Sequence, residues 1–430
     1  MLENQKRKER VLLVAIDKNL RDFDVEGSMR ELEELAQASG AEVVTSVIQK
    51  KDREDPATYI GKGKGEEIYN YCEELDIDTV IFNDELSGSQ VRNLEKIIDR
   101  NIVDRTNLIL DIFAQRAASN EGKLQVKLAQ LKYRLPRLSG SGQYLSRTGG
   151  GIGTRGPGEQ KLETDRRHIL REINNIEDKL KIVEKNRETL RTRRNKNKVP
   201  IVALAGYTNA GKSTLMNSLI KRINPNEDRD VFVKDMLFAT LGTSLRKSRF
   251  NNGGEFLLID TVGFVSKLPT NLVEAFKSTL EEIKYADVIV QVVDVLNDDV
   301  KLQIETTNKI LQDLDIGDKN VIYAFNKVDQ LEEGENLNRF KIYSPNVFIS
   351  AKNNLNLDEL LDLIYKNLPF ETYTVKLEFN YNEQDKLNYF ISKYDLDKVE
   401  YTEDGSIVEA TIDEYDHKKY KDNIMEKEYV

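Results

Sequence analysis

The chain opens with short runs of β-branched residues set between stretches whose apolar positions recur every three or four residues. Val11–Ile16, Val43–Ile48 and Thr79–Phe82 read as strands, and Glu26–Ser39, Gly65–Leu75 and Ser87–Ile98 as helices. In the first of these helices Leu32, Leu35 and Ala36 share one face. Strands alternating with helices of this length predict βαβ units on a parallel sheet, a small α/β domain over residues 1–115.

The period then changes. Leu124, Leu128, Leu131, Leu135 and Leu138 step by three and four, and Leu162, Ile169, Ile176, Val183 and Leu190 recur every seven, with Ile173 and Leu180 between them. Such a pattern predicts coiled-coil-like helices, read as an antiparallel hairpin over residues 116–198. The segment between them, residues 139–158, holds 8 of the chain's 24 glycines and forms the expected tip. A second α/β pattern occupies residues 199–368. Residues 369–430 show alternation in Tyr373–Phe379 and Ile407–Ile412 around an Asp404-Gly405 turn, which suggests a small α+β tail. The expected fold class is therefore α/β: a nucleotide-binding domain preceded by a small α/β domain and a helical hairpin, and followed by the tail.

Charge sharpens this division. The 430-residue chain carries a formal charge of −10, which argues against a uniformly basic nucleic-acid binder. Residues 121–200 nevertheless hold 20 Lys and Arg against 9 Asp and Glu, a local excess of +11, so a basic stripe sits inside an acidic protein. The last 60 residues carry −8. No apolar run approaches the ~18 residues of a membrane span, and no secretory h-region follows the charged start. A single cysteine, Cys72, excludes a disulfide framework, and two histidines, His168 and His417, exclude a His-rich metal centre. The expected setting is cytoplasmic.

The decisive segment is the apolar run Ile201–Ala205 followed by Gly206-Tyr207-Thr208-Asn209-Ala210-Gly211-Lys212-Ser213-Thr214, the G-x-x-x-x-G-K-S pattern between a strand and a helix. Its glycines let successive N–H groups face phosphates, aided by the helix dipole. Lys212 would reach the β- and γ-phosphates, and the Ser213 hydroxyl would ligate Mg²⁺. A second strand, Phe256–Ile259, ends in Asp260-Thr261-Val262-Gly263. Asp260 suits the role of holding Mg²⁺ through water, and the Gly263 N–H can approach the γ-phosphate. A third, Val321–Phe325, ends in Asn326-Lys327-Val328-Asp329. Guanine presents two adjacent donors that one carboxylate, Asp329, accepts together, and adenine lacks that pair. Asn326 can support the base's acceptors, the Lys327 stem can cover the ring, and Ser350-Ala351-Lys352 offers the Ala351 N–H to the guanine O6. Four such segments, each at a strand's C-terminal end, predict a GTP-binding domain with GTP and GDP as substrate and product and Mg²⁺ as cofactor.

Between the first and second segments lies Phe238-Ala239-Thr240-Leu241-Gly242-Thr243, where a threonine must complete the Mg²⁺ shell. Thr240 is the expected residue and Thr243 the alternative. The predicted metal ligands are thus Ser213 and Thr240, and the predicted catalytic set is Lys212, Thr240, Gly263 and Phe264. Phe264 stands where many GTPases carry a water-orienting glutamine, so slow intrinsic hydrolysis and an activating partner are expected.

Two segments carry a family resemblance. Residues 148–167, Thr-Gly-Gly-Gly-Ile-Gly-Thr-Arg-Gly-Pro-Gly-Glu-Gln-Lys-Leu-Glu-Thr-Asp-Arg-Arg, resemble the glycine-rich signature of the HflX family of bacterial GTPases. Residues 59–67, Tyr-Ile-Gly-Lys-Gly-Lys-Gly-Glu-Glu, resemble a second signature of that family, and Leu237–Leu241 with Phe264 resembles the Obg–HflX branch. Family members continue Phe-Ala-Thr-Leu with Asp-Pro-Thr, whereas Gly242-Thr243-Ser244 follows here. The resemblance implies a monomeric factor that binds the large ribosomal subunit, hydrolyses GTP under ribosomal stimulation, and splits or rescues stalled ribosomes under stress. The basic tip suits that reading, with Arg147, Arg155, Arg166 and Arg167 facing rRNA phosphates. Two other readings are a GTP-switched binding module with little turnover and an ATP-dependent RNA-remodelling protein using Gly61–Gly65.

Overall fold

The computed structural model describes residues 7–18, 24–138, 157–195, 199–222, 244–250, 255–261, 263–267, 280–297, 299–316, 319–332, 337–368, 372–394, 396–402 and 405–428. Among them, no helix is long and apolar enough to cross a membrane. The chain divides into two units, residues 1–248 with 255–364, and residues 249–254 with 365–430.

The larger unit begins with β1 (Arg10–Asp17), α1 (Val25–Ala38), β2 (Glu42–Lys50), α2 (Lys62–Glu74), β3 (Thr79–Phe82), α3 (Gly88–Ile98), β4 (Asn101–Asp104) and α4 (Arg105–Arg116). The four strands form a parallel sheet in the order β2-β1-β3-β4. Val11–Ile16 of β1 are apolar because both faces of the strand are covered. Val11, Leu13 and Ala15 join the core of α1 and α4, and Leu12, Val14 and Ile16 that of α2 and α3. Cys72 lies buried in the latter core, where burial pushes its thiol up to about 11. Ser87 and Gln90 close α3 with a reciprocal capping box. β4, only four residues after a charged turn, carries too little periodicity to be read from the sequence.

α5 (Asn120–Leu138) and α6 (Pro157–Asn195) follow, and the predicted seam is real. Leu128 and Leu131 pack on Ile169, Ile173 and Ile176, with Leu124, Leu135, Leu138 and Leu180 alongside. Two ion pairs flank the seam. Lys127 meets Glu172 on one side of the seam, and Lys132 meets Glu177 at 3.0 Å on the other. Exposed pairs of this kind contribute about 0–1 kcal/mol, against about 1.5–3 kcal/mol for each buried Leu or Ile, so the seam supplies the attraction. The glycine-rich segment, with Arg147 and Arg155, lies outside the described residues; Arg166, Arg167 and His168 are exposed on α6. α5 is also moored to the first sheet: the buried Asp104 carboxylate accepts from the Tyr133 hydroxyl at 2.6 Å and the Leu86 N–H at 2.9 Å.

The unit continues with β5 (Ile201–Gly206), α7 (Lys212–Lys221), β6 (Ser244–Arg249), β7 (Glu255–Asp260), β8 (Val288–Asp294), α8 (Val300–Asp313), β9 (Asn320–Asn326), β10 (Asn346–Phe348) and α9 (Leu357–Lys366). Its sheet has the order β10-β9-β8-β5-β7-β6, with β10 through β7 parallel. The C-terminal ends of β5, β7 and β9 lie on one edge, the edge at which open α/β sheets bind ligands.

The smaller unit folds β11 (Thr372–Asn380), α10 (Gln384–Lys393), β12 (Leu396–Tyr401), β13 (Gly405–Asp413), α11 (Glu414–Lys419) and β14 (Ile424–Glu428) into an antiparallel sheet, β12-β13-β11-β14, with Phe390, Leu387 and Tyr420 in its core. The strands at Tyr373–Phe379 and Ile407–Ile412 were legible by alternation. The buried Asp416, which accepts from Lys393 at 2.6 Å and the Tyr394 hydroxyl at 2.7 Å, was not.

Candidate functional site

The strand-to-helix turn after β5 is shaped by backbone no ordinary residue tolerates. Gly206 has φ 140°, and a Cβ there would stand 2.2 Å from the Val292 carbonyl oxygen. Gly211 has φ 94°, with its would-be Cβ 2.2 Å from Asn326 Nδ2. The loop between them curls around the N-terminus of α7, whose first residues are Lys212 and Ser213. Lys212 is buried and donates to the carbonyls of Gly206 at 3.0 Å and Tyr207 at 2.7 Å. Burial pushes its ammonium down to about 8, with the Asp260 carboxylate opposing the shift.

That value has a measurable consequence. An incoming phosphate favours the charged ammonium, so nucleotide binding takes up a proton above pH 8 and affinity falls as pH rises from there toward the ordinary lysine range. Calorimetric titration with GDP near about pH 9, in buffers of different ionisation enthalpy, should read uptake approaching one proton. Zero uptake would show that Lys212 is already charged in the empty site at this pH.

Ser213 Oγ donates to Asp260 Oδ2 at 2.8 Å, which brings the two predicted metal-side groups together. A hydroxyl and a carboxylate at this spacing are hard oxygen donors of the kind Mg²⁺ takes while keeping several waters. Thr261 is different: its hydroxyl donates to the Leu204 carbonyl at 2.7 Å, bracing β7 on β5. Val262 and the whole of Phe238, Ala239, Thr240, Leu241 and Gly242, with Thr243, lie outside the described residues.

The segment after β7 is zipped to the loop. Phe264 donates its N–H to the Gly206 carbonyl at 3.1 Å, and its own carbonyl accepts from Thr208 N–H at 2.8 Å. Gly263 fits only as glycine, because a Cβ would lie 2.9 Å from Thr208 Cα and 3.1 Å from Lys212 Nζ. Phe264 is 1% exposed and belongs to an apolar cluster with Tyr207 and Val265. Its side chain is a packing group, which accounts for a phenylalanine at that position.

On the opposite side of the loop, Asn326 is a brace. Its Nδ2 donates to the Ala210 carbonyl at 2.8 Å and its Oδ1 accepts the Ala351 N–H at 2.9 Å, so Asn326 ties the two predicted base-side loops to the phosphate loop. In this arrangement the Ala351 amide serves Asn326 rather than facing outward to a base. Lys327, at φ 72°, is fixed by Asp294 at 2.6 Å. Asp329 is exposed on the turn Val328–Gln330, its carboxylate open to a ligand. Ser350 Oγ accepts from Asn353 N–H at 3.1 Å, and Ser218 of α7 donates to the Ala351 carbonyl at 2.6 Å. Sequence reasoning did not single out Lys221 and Arg222, which border a cleft of about 460 Å³ with Thr214 and Lys352. Their place at the end of a helix that starts at the phosphate loop was the available signal.

Three successive parts of the chain match families of related proteins. Residues 26–114 match "GTP-binding GTPase N-terminal", residues 116–194 "GTP-binding GTPase Middle Region", and residues 201–327 "50S ribosome-binding GTPase". The chain is 50% identical to the GTPase HflX of Caldanaerobacter subterraneus subsp. tengcongensis over 96% of this chain and 93% of that one. It is 46% identical to the GTPase HflX of Lacrimispora saccharolytica over 96% and 95%. Among solved structures it is similar to the SsGBP–GDP complex, at 25% identity and a TM-score of 0.44 over 83% of this chain and 98% of that chain. On near full-length identity of this order, with a phosphate loop built as described, the chain belongs to the HflX family of GTPases and hydrolyses GTP to GDP and phosphate.

Proposed function

We propose that this GTPase acts on the large ribosomal subunit, which stimulates its hydrolysis of GTP, and that it serves to split or rescue stalled ribosomes under stress as a cytoplasmic, monomeric factor. The observation that carries the reading is the match of residues 201–327 to a 50S ribosome-binding GTPase. It is supported by the local +11 charge of residues 121–200 in a chain of −10.

In this reading water attacks the γ-phosphate, the bond to the β-phosphate oxygen breaks, and GDP leaves with its charge neutralised. Lys212 turns from the Gly206 and Tyr207 carbonyls to the β- and γ-phosphates, while the loop amides from Asn209 to Thr214 line the β-phosphate. Ser213 and Thr240 would ligate Mg²⁺, with Asp260 holding one of its waters; when bound, the ion would neutralise charge between the β- and γ-oxygens. The Gly263 N–H would meet the γ-phosphate, and Phe264, packed away, leaves water orientation to the partner. Asp329 selects guanine, with the Lys327 stem along the ring and Lys352 beside it.

Electrostatic attraction to rRNA has its own signature. Replacing Arg147, Arg155, Arg166 and Arg167 by Gln together should make the log–log salt dependence of large-subunit binding shallower, by about 0.7–0.9 for each phosphate that is no longer neutralised. Sedimentation of the complex at several salt concentrations reads the slope. A slope identical to that of the unaltered protein would remove these arginines from the interface.

A further inference from the structure

Tyr59, at the start of the glycine-rich segment 59–65, and the Ser266-Lys267 pair take no part in the chemistry above, yet Tyr59 and Lys267 share one carboxylate. Lys267, at φ 53°, donates to Asp84 Oδ1 at 2.5 Å. Asp84 also accepts the hydroxyl of Tyr59, itself at φ 61° and buried edge-on against Phe82 with ring centroids 5.7 Å apart. A second knot lies one residue earlier. The Glu31 carboxylate, on α1, accepts from the Ser266 N–H at 3.0 Å, the Ser266 hydroxyl, the Tyr207 hydroxyl and the Arg105 guanidinium. Arg105 is fully buried and also donates to Ser266 Oγ at 3.0 Å and Asn83 Oδ1 at 2.8 Å.

The geometry has a direction. Ser266 and Lys267 end the segment whose Phe264 is zipped to the phosphate loop, and Tyr207 belongs to that loop. Apolar packing reinforces the hold, because residues of α1 and α4 share one buried cluster with Tyr207, Phe264 and Val265. While the zip is closed, the Thr208 N–H is spent on the Phe264 carbonyl and Gly263 lies against Thr208 and Lys212. A γ-phosphate needs room between Lys212 and Gly263; a β-phosphate alone needs less of it.

We infer that Glu31 and Asp84 are positioning residues: they clamp residues 263–267 against the phosphate loop, so that the N-terminal domain disfavours GTP relative to GDP. By linkage, a bound γ-phosphate loosens the domain's grip on Ser266 and Lys267 to the same extent. Tyr59 is then one end of a lever, because it holds the carboxylate that holds Lys267. This inference rests on guanine-nucleotide binding by the family and not on the ribosomal role.

The test uses the full chain without ribosomes and compares the dissociation constants of GDP and a non-hydrolysable GTP analogue. Glu31→Gln and Asp84→Asn should each shift the ratio toward the analogue by about fivefold or more, and amide exchange of residues 263–267 should quicken. Glu31→Gln strips Arg105 of its anion, so Ser266→Ala serves as a milder cut of the same knot if that variant does not fold. Folded variants with a ratio within twofold of the unaltered protein, and unchanged exchange, would overturn the clamp. Failure of nucleotide binding itself would show as no binding of either ligand by the unaltered chain.

Discussion

Asp329→Asn should weaken GTP binding by about 10³-fold and turn the preference toward xanthosine triphosphate. Guanine's N1–H and 2-amino group are both donors, and a carboxylate accepts both in charge-assisted bonds worth about 1.5–3 kcal/mol each. A carboxamide keeps one acceptor and turns two hydrogens against the amino group. Xanthine carries a carbonyl at that carbon, so the same carboxamide can accept from N1–H and donate to the carbonyl. The scaffold for this exchange is rigid: Asn326 bridges the Ala210 carbonyl and the Ala351 amide, and Lys327 is pinned by Asp294. The substitution on an exposed turn leaves these braces intact, so competition binding with the two triphosphates reads selectivity alone. GTP affinity retained within threefold would take Asp329 out of base recognition.

The second large effect concerns the rate. Phosphate release should rise by about 10³–10⁵-fold when the activating partner engages, the range that supplied catalytic groups deliver. Phe264 offers no hydrogen bond to water, and it is committed to the core beside Tyr207 and Val265. Lys212 rests on loop carbonyls, and residues 263–267 are held by Glu31 and Asp84. If each hold has to yield before the reacting groups line up, unassisted turnover should be slow for positional as well as chemical reasons. A partner that reshapes the segment therefore acts on orientation, where about an ångström decides about 10²-fold.

Much of the nucleotide domain was legible because glycine, lysine and acidic residues at strand ends have few other reasons to recur in that order. The first sheet was legible strand by strand where alternation or β-branching ran for four residues or more, as in Thr79–Phe82, and failed at Asn101–Asp104, where two flanking charges hide a short strand. The helical seam was found from its heptads, and Leu128 and Leu131 do meet Ile169, Ile173 and Ile176. Asn326 was read for a base-facing role, and no sequence pattern showed that its carboxamide also ties the Ala210 carbonyl to the Ala351 amide. The Glu31 knot was invisible in principle: nothing local to a helix position shows that its carboxylate meets a loop some 235 residues away. Pairings between domains are written in no periodicity, and the clamp joins residues from six separate segments.

Phosphate release from GTP, measured under single-turnover conditions with and without purified large ribosomal subunits, bears most directly on the central claim. Strong stimulation of the unaltered protein, absent for Asp329→Asn at the same GTP concentration, is the expected result. Equal rates with and without subunits, while GTP still binds tightly, would contradict a ribosome-activated GTPase and leave a nucleotide switch whose partner lies elsewhere.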